Sequence, residues 1–264
     1  MINRINQTAN QWLYALLFVL TFATYSNTLN HGFVLDDDIV ISQNRFVQEG
    51  FSGIDDILSH GFLYGFNNRN DQSYRPLTLI NLAIEKQLFG NNPKAIHFMH
   101  LLLYALAVVL LFRFLLTAFQ LQNKWLAFWI ALLFALHPIH TEVVANIKSR
   151  DEILHLIFAI AALTSILKYI DSKKVNQLIY GVVFYALALM SKEMAVSLAL
   201  VLPLSLWMFR SLKLKEIISH SILFGIVLII YFFVRTMILD SITFDEEMTV
   251  INNTLAAAQT YPQQ

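Results

Sequence analysis

The chain has 264 residues, of which 57% are hydrophobic and 14% charged. Soluble domains carry roughly a quarter charged residues, so this composition points to a membrane protein. Lysine plus arginine and aspartate plus glutamate each number 18, which gives no electrostatic footprint for nucleic acid, and the lack of cysteine excludes disulfides and thiolate metal sites.

A helix that crosses the hydrocarbon needs about 20 mostly apolar residues. The first candidate runs from Trp12 to Asn27. It lacks a strongly basic start and an A-x-A cleavage site, so it reads as a retained helix rather than a signal peptide. A polar segment follows, from about residue 28 to 92. It opens with "HGFVLDDDIVISQN", in which Asp36, Asp37 and Asp38 stand directly after the apolar stretch. Phe51, Ile54, Ile57 and Leu58 then recur at helical spacing, and Ser52 with Asp55 resembles a capping box. The pattern predicts a short amphipathic helix on the membrane surface, with Asp55 and Asp56 favouring its amino end. Asn67 to Pro76 reads as a turn-rich return to the membrane. Arg75 stands near that interface. Its guanidinium matches phosphate oxygens in a bidentate fork, or it snorkels to the headgroups.

The second span is expected from about Ile96 to Phe119 and the third from Trp125 to His140. Pro138 marks where the third stops behaving as an ordinary helix. His137 and His140 share a face if that turn stays helical. Glu142 follows, near the end of an apolar span. Desolvation there would raise a carboxyl pKa, so it reads either as a functional acid or as a hydrogen-bonded tie between helices. Ser149 and Glu152 form a capping-box pattern for the fourth span, from about Glu152 to Ile170. The fifth is expected from Leu178 to Met190, and Lys192 and Glu193 occupy a very short turn. The sixth runs from Met194 to Phe209, with Pro203 expected to bend it, and the seventh from Ile217 to Val234. His97, His100 and His220 read as interfacial residues near span ends. The fold expected is all-α: a polytopic bundle of about seven transmembrane helices with a partly helical first loop.

With a cytoplasmic amino terminus, the inner side carries Arg4, Lys124, Lys173, Lys174, Arg210, Lys213 and Lys215, which the positive-inside rule favours. The outer turns carry Lys148, Arg150 and Lys192. Of the 18 acids, only Asp171 and Glu216 fall inside. Acids contribute little to insertion. One extracytoplasmic face has therefore gathered the ionisable groups for another reason, and it reads as the working face. His137 and His140 give a weak zinc signal, and Asp36 and Asp37 are able to hold a hard divalent cation through oxygen. Nothing in the spacing demands either ion, and no cofactor is required. A transporter half predicts ionisable groups midway along the spans. The clear intramembrane charge here is Arg113, near an inner end.

Four stretches then stand together: "GFVLDDDIVISQN", "YRPLT", "HPIHTEVV…SRDEIL" and "SKE". In this order the chain resembles the transmembrane and tetratricopeptide-repeat protein O-mannosyltransferases and their bacterial relatives, polytopic glycosyltransferases of the C-type fold. The resemblance covers about residues 10 to 240. It implies an integral membrane enzyme, expected in a bacterial inner membrane with its active face periplasmic. Its partners are then a polyprenyl-phosphate-linked sugar, a protein acceptor hydroxyl and the bilayer, with no nucleic acid. The family's acidic pair matches Asp36 and Asp37, with Asp38 an extra acid, and the acid of its H-T-E motif matches Glu142. Residues 1–240 form the membrane domain in this reading. Residues 241–264 form an extracytoplasmic tail at the start of a missing region, the chain being either a fragment or one half of a split gene whose second polypeptide carries the remaining helices and repeats.

The chemistry implied needs a carboxylate within reach of the acceptor hydroxyl at headgroup level. Asp36 or Asp37 fits, Asp37 being favoured, with Glu142 as an orienting acid. The leaving lipid phosphate needs cations, for which Arg75, Arg150 and Lys192 are candidates, and His137, His140 and Glu193 are auxiliary. A non-catalytic assembly partner or transporter half is the rival class. A C-type enzyme acting on lipid A or polysaccharide would carry the same residues.

Overall fold

The computed structural model describes residues 2–34, 36–68, 72–121 and 123–243; for 2–10 and 240–243 it describes the backbone alone. Among these residues every regular element is a helix. α1 (Ile2–Thr24) leads into the polar segment, which folds into α2 (Asp36–Val40), α3 (Arg45–Gln48), α4 (Ile54–Ser59), α5 (Tyr64–Asn67) and α6 (Pro76–Phe89). Then follow α7 (Pro93–Ala118), α8 (Lys124–Leu136), α9 (His140–Ala145), α10 (Arg150–Ser172), α11 (Val175–Ser191), α12 (Leu198–Arg210) and α13 (Leu214–Thr243). The expected tail from residue 244 onward lies outside the described residues, as do residues 69–71 of the return to the bundle.

Four stretches are long and apolar enough to cross a membrane: Pro93–Ala118, Ile147–Ser172, Glu193–Arg210 and Leu214–Leu239. Gln11–Thr24, Lys124–Leu136 and Val175–Ser191 are apolar but shorter, and stand where the first, third and fifth spans were expected. Local chemistry sets several boundaries. Asn92 caps α7 by accepting from the Lys94 and Ala95 amides at 3.1 and 3.4 Å, with Pro93 in the first turn. Asn123 caps α8 through the Trp125 amide at 3.1 Å. α8 stops at Leu136, two residues before Pro138, as the sequence predicts.

The bundle packs around α10, whose span is 67% buried, against α7 on one side and α11 on the other. Gly181 of α11 makes the second contact close: a Cβ there would meet the Ile166 side chain of α10 at 2.8 Å. Small residues let helices approach in this way. α13 is at the opposite extreme, with only 11% of its span buried and Ile229 and Phe233 pointing outward at 70% and 64% exposure. So much outward apolar surface suits lipid rather than water.

The polar segment has a core of its own. Val40, Ile41, Phe46, Val47, Ile57, Phe62, Leu79 and Leu82 pack with Ile96 of α7 and Ile147 ahead of α10. Each such residue contributes about 1.5–3 kcal/mol of burial, so the segment is a docked subdomain rather than one amphipathic helix on a membrane surface. The capping box expected at Ser52 and Asp55 does not form. A 3₁₀ turn spans Gly50–Gly53, α4 starts at Ile54, and the Ser52 hydroxyl donates to the Glu49 carbonyl at 2.8 Å. The Ser149 and Glu152 box is absent too: Ser149 caps nothing through its side chain, and the Glu152 amide donates to Asp151 at 2.7 Å. His97 and His100 are core residues rather than interfacial ones, 1% and 0% exposed.

Candidate active site

The three acids of the loop go to three different places, although they are consecutive. They occupy the first turn of α2, where carboxylates suit the helix dipole. Asp38 accepts from the Ser42 hydroxyl one turn on. Asp37 points inward and is fully buried. One of its oxygens accepts the Lys148 amide at 2.8 Å and the other the Val34 amide at 3.3 Å. It thereby ties the loop to the segment before α10. Burial pushes its carboxyl above the usual range, against these backbone donors. Asp36 faces out: its side chain is 55% exposed, and its nearest cation is the Lys148 ammonium at 3.9 Å.

Asp36, Lys148 and Arg75 line one cavity of about 260 Å³, together with Ile39, Val40, Phe62, Leu63 and Ser73. Arg75 is brought there by the turn into α6 and is 16% exposed. Its guanidinium lies 5.2 Å from the centre of the Phe62 ring. Nη1 donates to Asp151 at 2.6 Å and Nε to Glu193 at 2.8 Å. The other Glu193 oxygen accepts the Tyr74 amide at 2.9 Å. Lys192 continues the chain of charges, 3.5 Å from Asp151 and 2.5 Å from Glu152. Acids and cations from α6, α10 and the α11–α12 turn thus form one network beside the cavity.

A second cavity, of about 270 Å³, opens on the far side of this network. Tyr104, Phe134, His140, Val143, Ile153, His155 and Leu156 line it with Glu152. The wall is apolar apart from Glu152 and the rings. Asp151 and Lys192 connect the two cavities through ion pairs.

Several sequence expectations need correction. Arg150 cannot meet a lipid phosphate, because it is fully buried and its donors are engaged. Nη1 bonds Glu85 and Asn81, each at 2.5 Å, Nη2 the Ile96 carbonyl at 3.2 Å, and Nε the His100 Nδ1 at 3.0 Å. His100 in turn bonds the Val143 carbonyl through Nε2 at 2.8 Å, which fixes its tautomer. Burial lifts the Glu85 carboxyl above its ordinary range, and Arg150 pulls against that. Glu142 is exposed on α9 and lines neither cavity, so the desolvation expected there is missing. His137 and His140 do not share a helical face, because His137 ends α8 and His140 begins α9; their ring centres are 6.1 Å apart. Asp36 and Asp37 face different ways, Asp37 inward onto two backbone amides and Asp36 outward toward Lys148. Among the described residues no three histidine, aspartate or glutamate side chains gather as metal ligands.

Two residues of the site escaped the sequence reading. Lys148 counted only as a charge on an outer turn, yet it is the cation of the cavity with the weakest pairing. Asp151 is 1% exposed and bridges two cations. A signal for it existed in "SRDEIL", where one of the acids opening a span was bound to face inward.

A family model described as dolichyl-phosphate-mannose-protein mannosyltransferase matches residues 75–238. Protein O-mannosyl-transferase TMTC1 of Homo sapiens is 35% identical over 161 residues, 60% of this chain and 18% of its own. Protein O-mannosyl-transferase TMTC2 of Mus musculus is 28% identical over 216 residues, 75% of this chain and 24% of its own. Protein O-mannosyl-transferase TMTC3 of Mus musculus is 30% identical over 156 residues, 58% of this chain and 16% of its own. The chain therefore spans about a fifth of the length of these relatives. No solved structure matches it.

Proposed function

The chain belongs to the dolichyl-phosphate-mannose-protein mannosyltransferase family, and from that premise we propose that it transfers mannose from a polyprenyl-phosphate donor to a protein hydroxyl on the extracytoplasmic face. It is an integral membrane protein. In this reading the seven apolar helices are seven spans, the amino terminus is cytoplasmic, and the subdomain from α2 to α6 lies outside; in a bacterial inner membrane that face is periplasmic.

The observation that carries the proposal is the meeting of Asp36, Arg75 and Lys148 in one cavity at the loop end of the bundle. Transfer forms a bond from the acceptor oxygen to the sugar C1 and breaks the bond from C1 to the phosphate oxygen. The electron pair leaves with the polyprenyl phosphate. The acceptor proton goes to a carboxylate, which returns it to water. Asp36 is the acid placed for that work, being half-exposed in the cavity. Asp37, favoured from sequence, is buried on two backbone amides and holds the loop in register instead. Lys148 and Arg75 are the cations available to the departing phosphate. Arg75 is held by Asp151 and Glu193, so it meets its target without reorganising. The apolar second cavity suits the first prenyl units, with Lys192 between tail and sugar.

The test supplies membranes containing the chain with polyprenyl-phosphate mannose or with nucleotide-linked mannose, each radiolabelled. Label is expected in protein from the lipid-linked donor alone. Label from the nucleotide donor alone, or from neither, overturns the proposal.

A further inference from the structure

We propose that a groove between α7, α10 and α11, at the end of the bundle away from the active-site cavity, holds one anionic phospholipid with its phosphate on Arg113 and Lys168. The site is separate from the transferase reading and depends only on the chain lying in a bilayer. The groove has a volume of about 370 Å³. Leu106, Leu110, Ile157 and Phe158 make an apolar wall, and Arg113, Lys168 and Gln177 stand in its lining at the other end.

The position fits a headgroup of the opposite leaflet. Lys168 follows Asp151 by four to five turns on α10, which at about 1.5 Å per residue places it roughly 25 Å away along the axis. The hydrocarbon layer is about 30 Å thick. Asp151 belongs to the network beside the active-site cavity, so Lys168 stands near the other headgroup level.

The charges favour an anion. Among the described residues neither Arg113 nor Lys168 has an ion-pair partner, and the two positive charges act on each other across the groove. The acids at that end are committed elsewhere. Asp171 takes Arg210 through both oxygens, at 2.6 and 2.8 Å. Glu216 accepts the Lys213 amide at 3.0 Å. Two unpaired cations in a mostly apolar groove need a counter-ion that brings its own hydrocarbon. A phospholipid supplies both, its phosphate to the cations and an acyl chain to the wall. Arg113 is exposed and Lys168 half-buried, and both stand in the lining of the same groove. Basic pockets between spans are recognised binders of anionic headgroups.

The test is native mass spectrometry of the full chain, released from detergent after incubation with equal amounts of phosphatidylglycerol and phosphatidylcholine. Each nearby cation favours an anionic headgroup, and two together are expected to give about a tenfold preference for phosphatidylglycerol. Arg113→Gln with Lys168→Gln is expected to abolish the preference, while Lys213→Gln, at the same end but outside the groove, keeps it. Inorganic phosphate is expected to leave the lipid in place. Equal retention of the two lipids, an unchanged preference in the double variant, or displacement by inorganic phosphate overturns the site. Should the double variant fail to fold, Lys168→Gln alone is expected to reduce the preference by about threefold, and an unchanged ratio there counts against the proposal. No transfer reaction enters these readouts, so an inactive transferase would leave them unaffected.

Discussion

Arg75 Nη1 lies 2.6 Å from Asp151 Oδ2, joining the start of α6 to the start of α10 across 76 residues of sequence. Asp151 is 1% exposed while Arg75 keeps 16%, so the pair sits at the border of the cavity. This contact holds the loop subdomain against the bundle at the point where the chemistry is proposed.

Replacing Arg75 by Gln leaves a buried carboxylate with Lys192, at 3.5 Å, as its remaining cation and the Glu152 amide as a donor. Removing one partner of a buried pair costs about 3–5 kcal/mol, and the remaining lysine places this case near the lower end. The thermal unfolding midpoint in detergent is expected to fall accordingly. Arg75→Lys is expected to recover little, because an ammonium does not reproduce the fork that meets Asp151 and Glu193 together.

Asp37→Asn tests the buried acid through pH. Burial raises its folded pKa above the ordinary value. Its share of stability is therefore full below about pH 4 and is lost as the pH rises through the raised value. The stability advantage of the native chain over Asp37→Asn is expected to be greatest near that lower limit and to shrink toward neutrality. A flat difference across this range would mean that Asp37 is as well solvated folded as unfolded, and the opposite trend that its amide donors hold the carboxylate ionised.

How much of this was legible in the sequence follows the range of the interactions. Apolar runs located the four helices long enough to cross a membrane and three shorter apolar ones, because length and composition are local, and Pro138 marked the end of α8. The acids of the first loop and those opening α10 also pointed, from sequence, to the region proposed here as the site. Which of Asp36 and Asp37 faces the cavity was not, since that depends on the Lys148 amide, 111 residues away. Arg150 resembled a surface cation because its partners come from α6 and α7. The Ser149 and Glu152 box failed because the Asp151 carboxylate takes the amide that the pattern needed. Glu142 seemed desolvated because the sequence does not reveal which side of α9 packs inward: Val144 is buried there, whereas Glu142 is exposed.

Arg150 and Glu85 are expected to behave as a coupled unit. Arg150→Met alone strands the Glu85 carboxylate, which is 2% exposed, and should cost about 3–5 kcal/mol. Adding Glu85→Leu removes the stranded charge and is expected to restore most of the loss. A double-mutant cycle on thermal midpoints measures the coupling; additive losses would count against the pair.

The absence of native cysteine makes the topology simple to test. Ser52→Cys and Ser172→Cys are near-isosteric changes at exposed positions. A membrane-impermeant maleimide is expected to label the first in intact cells and the second only after lysis. The reverse pattern would invert the orientation proposed here.

The most direct test of the central claim is the initial rate of mannose transfer by Asp36→Asn, in membranes matched for protein level. Asp36 makes only a long, half-exposed pair with Lys148, so the substitution is expected to leave stability within about 1 kcal/mol. The rate is expected to fall by about 10²–10⁴-fold, the usual contribution of a positioned general base. A rate within roughly twofold of the native chain would contradict the account, because the acid of the cavity would then have no part in the reaction.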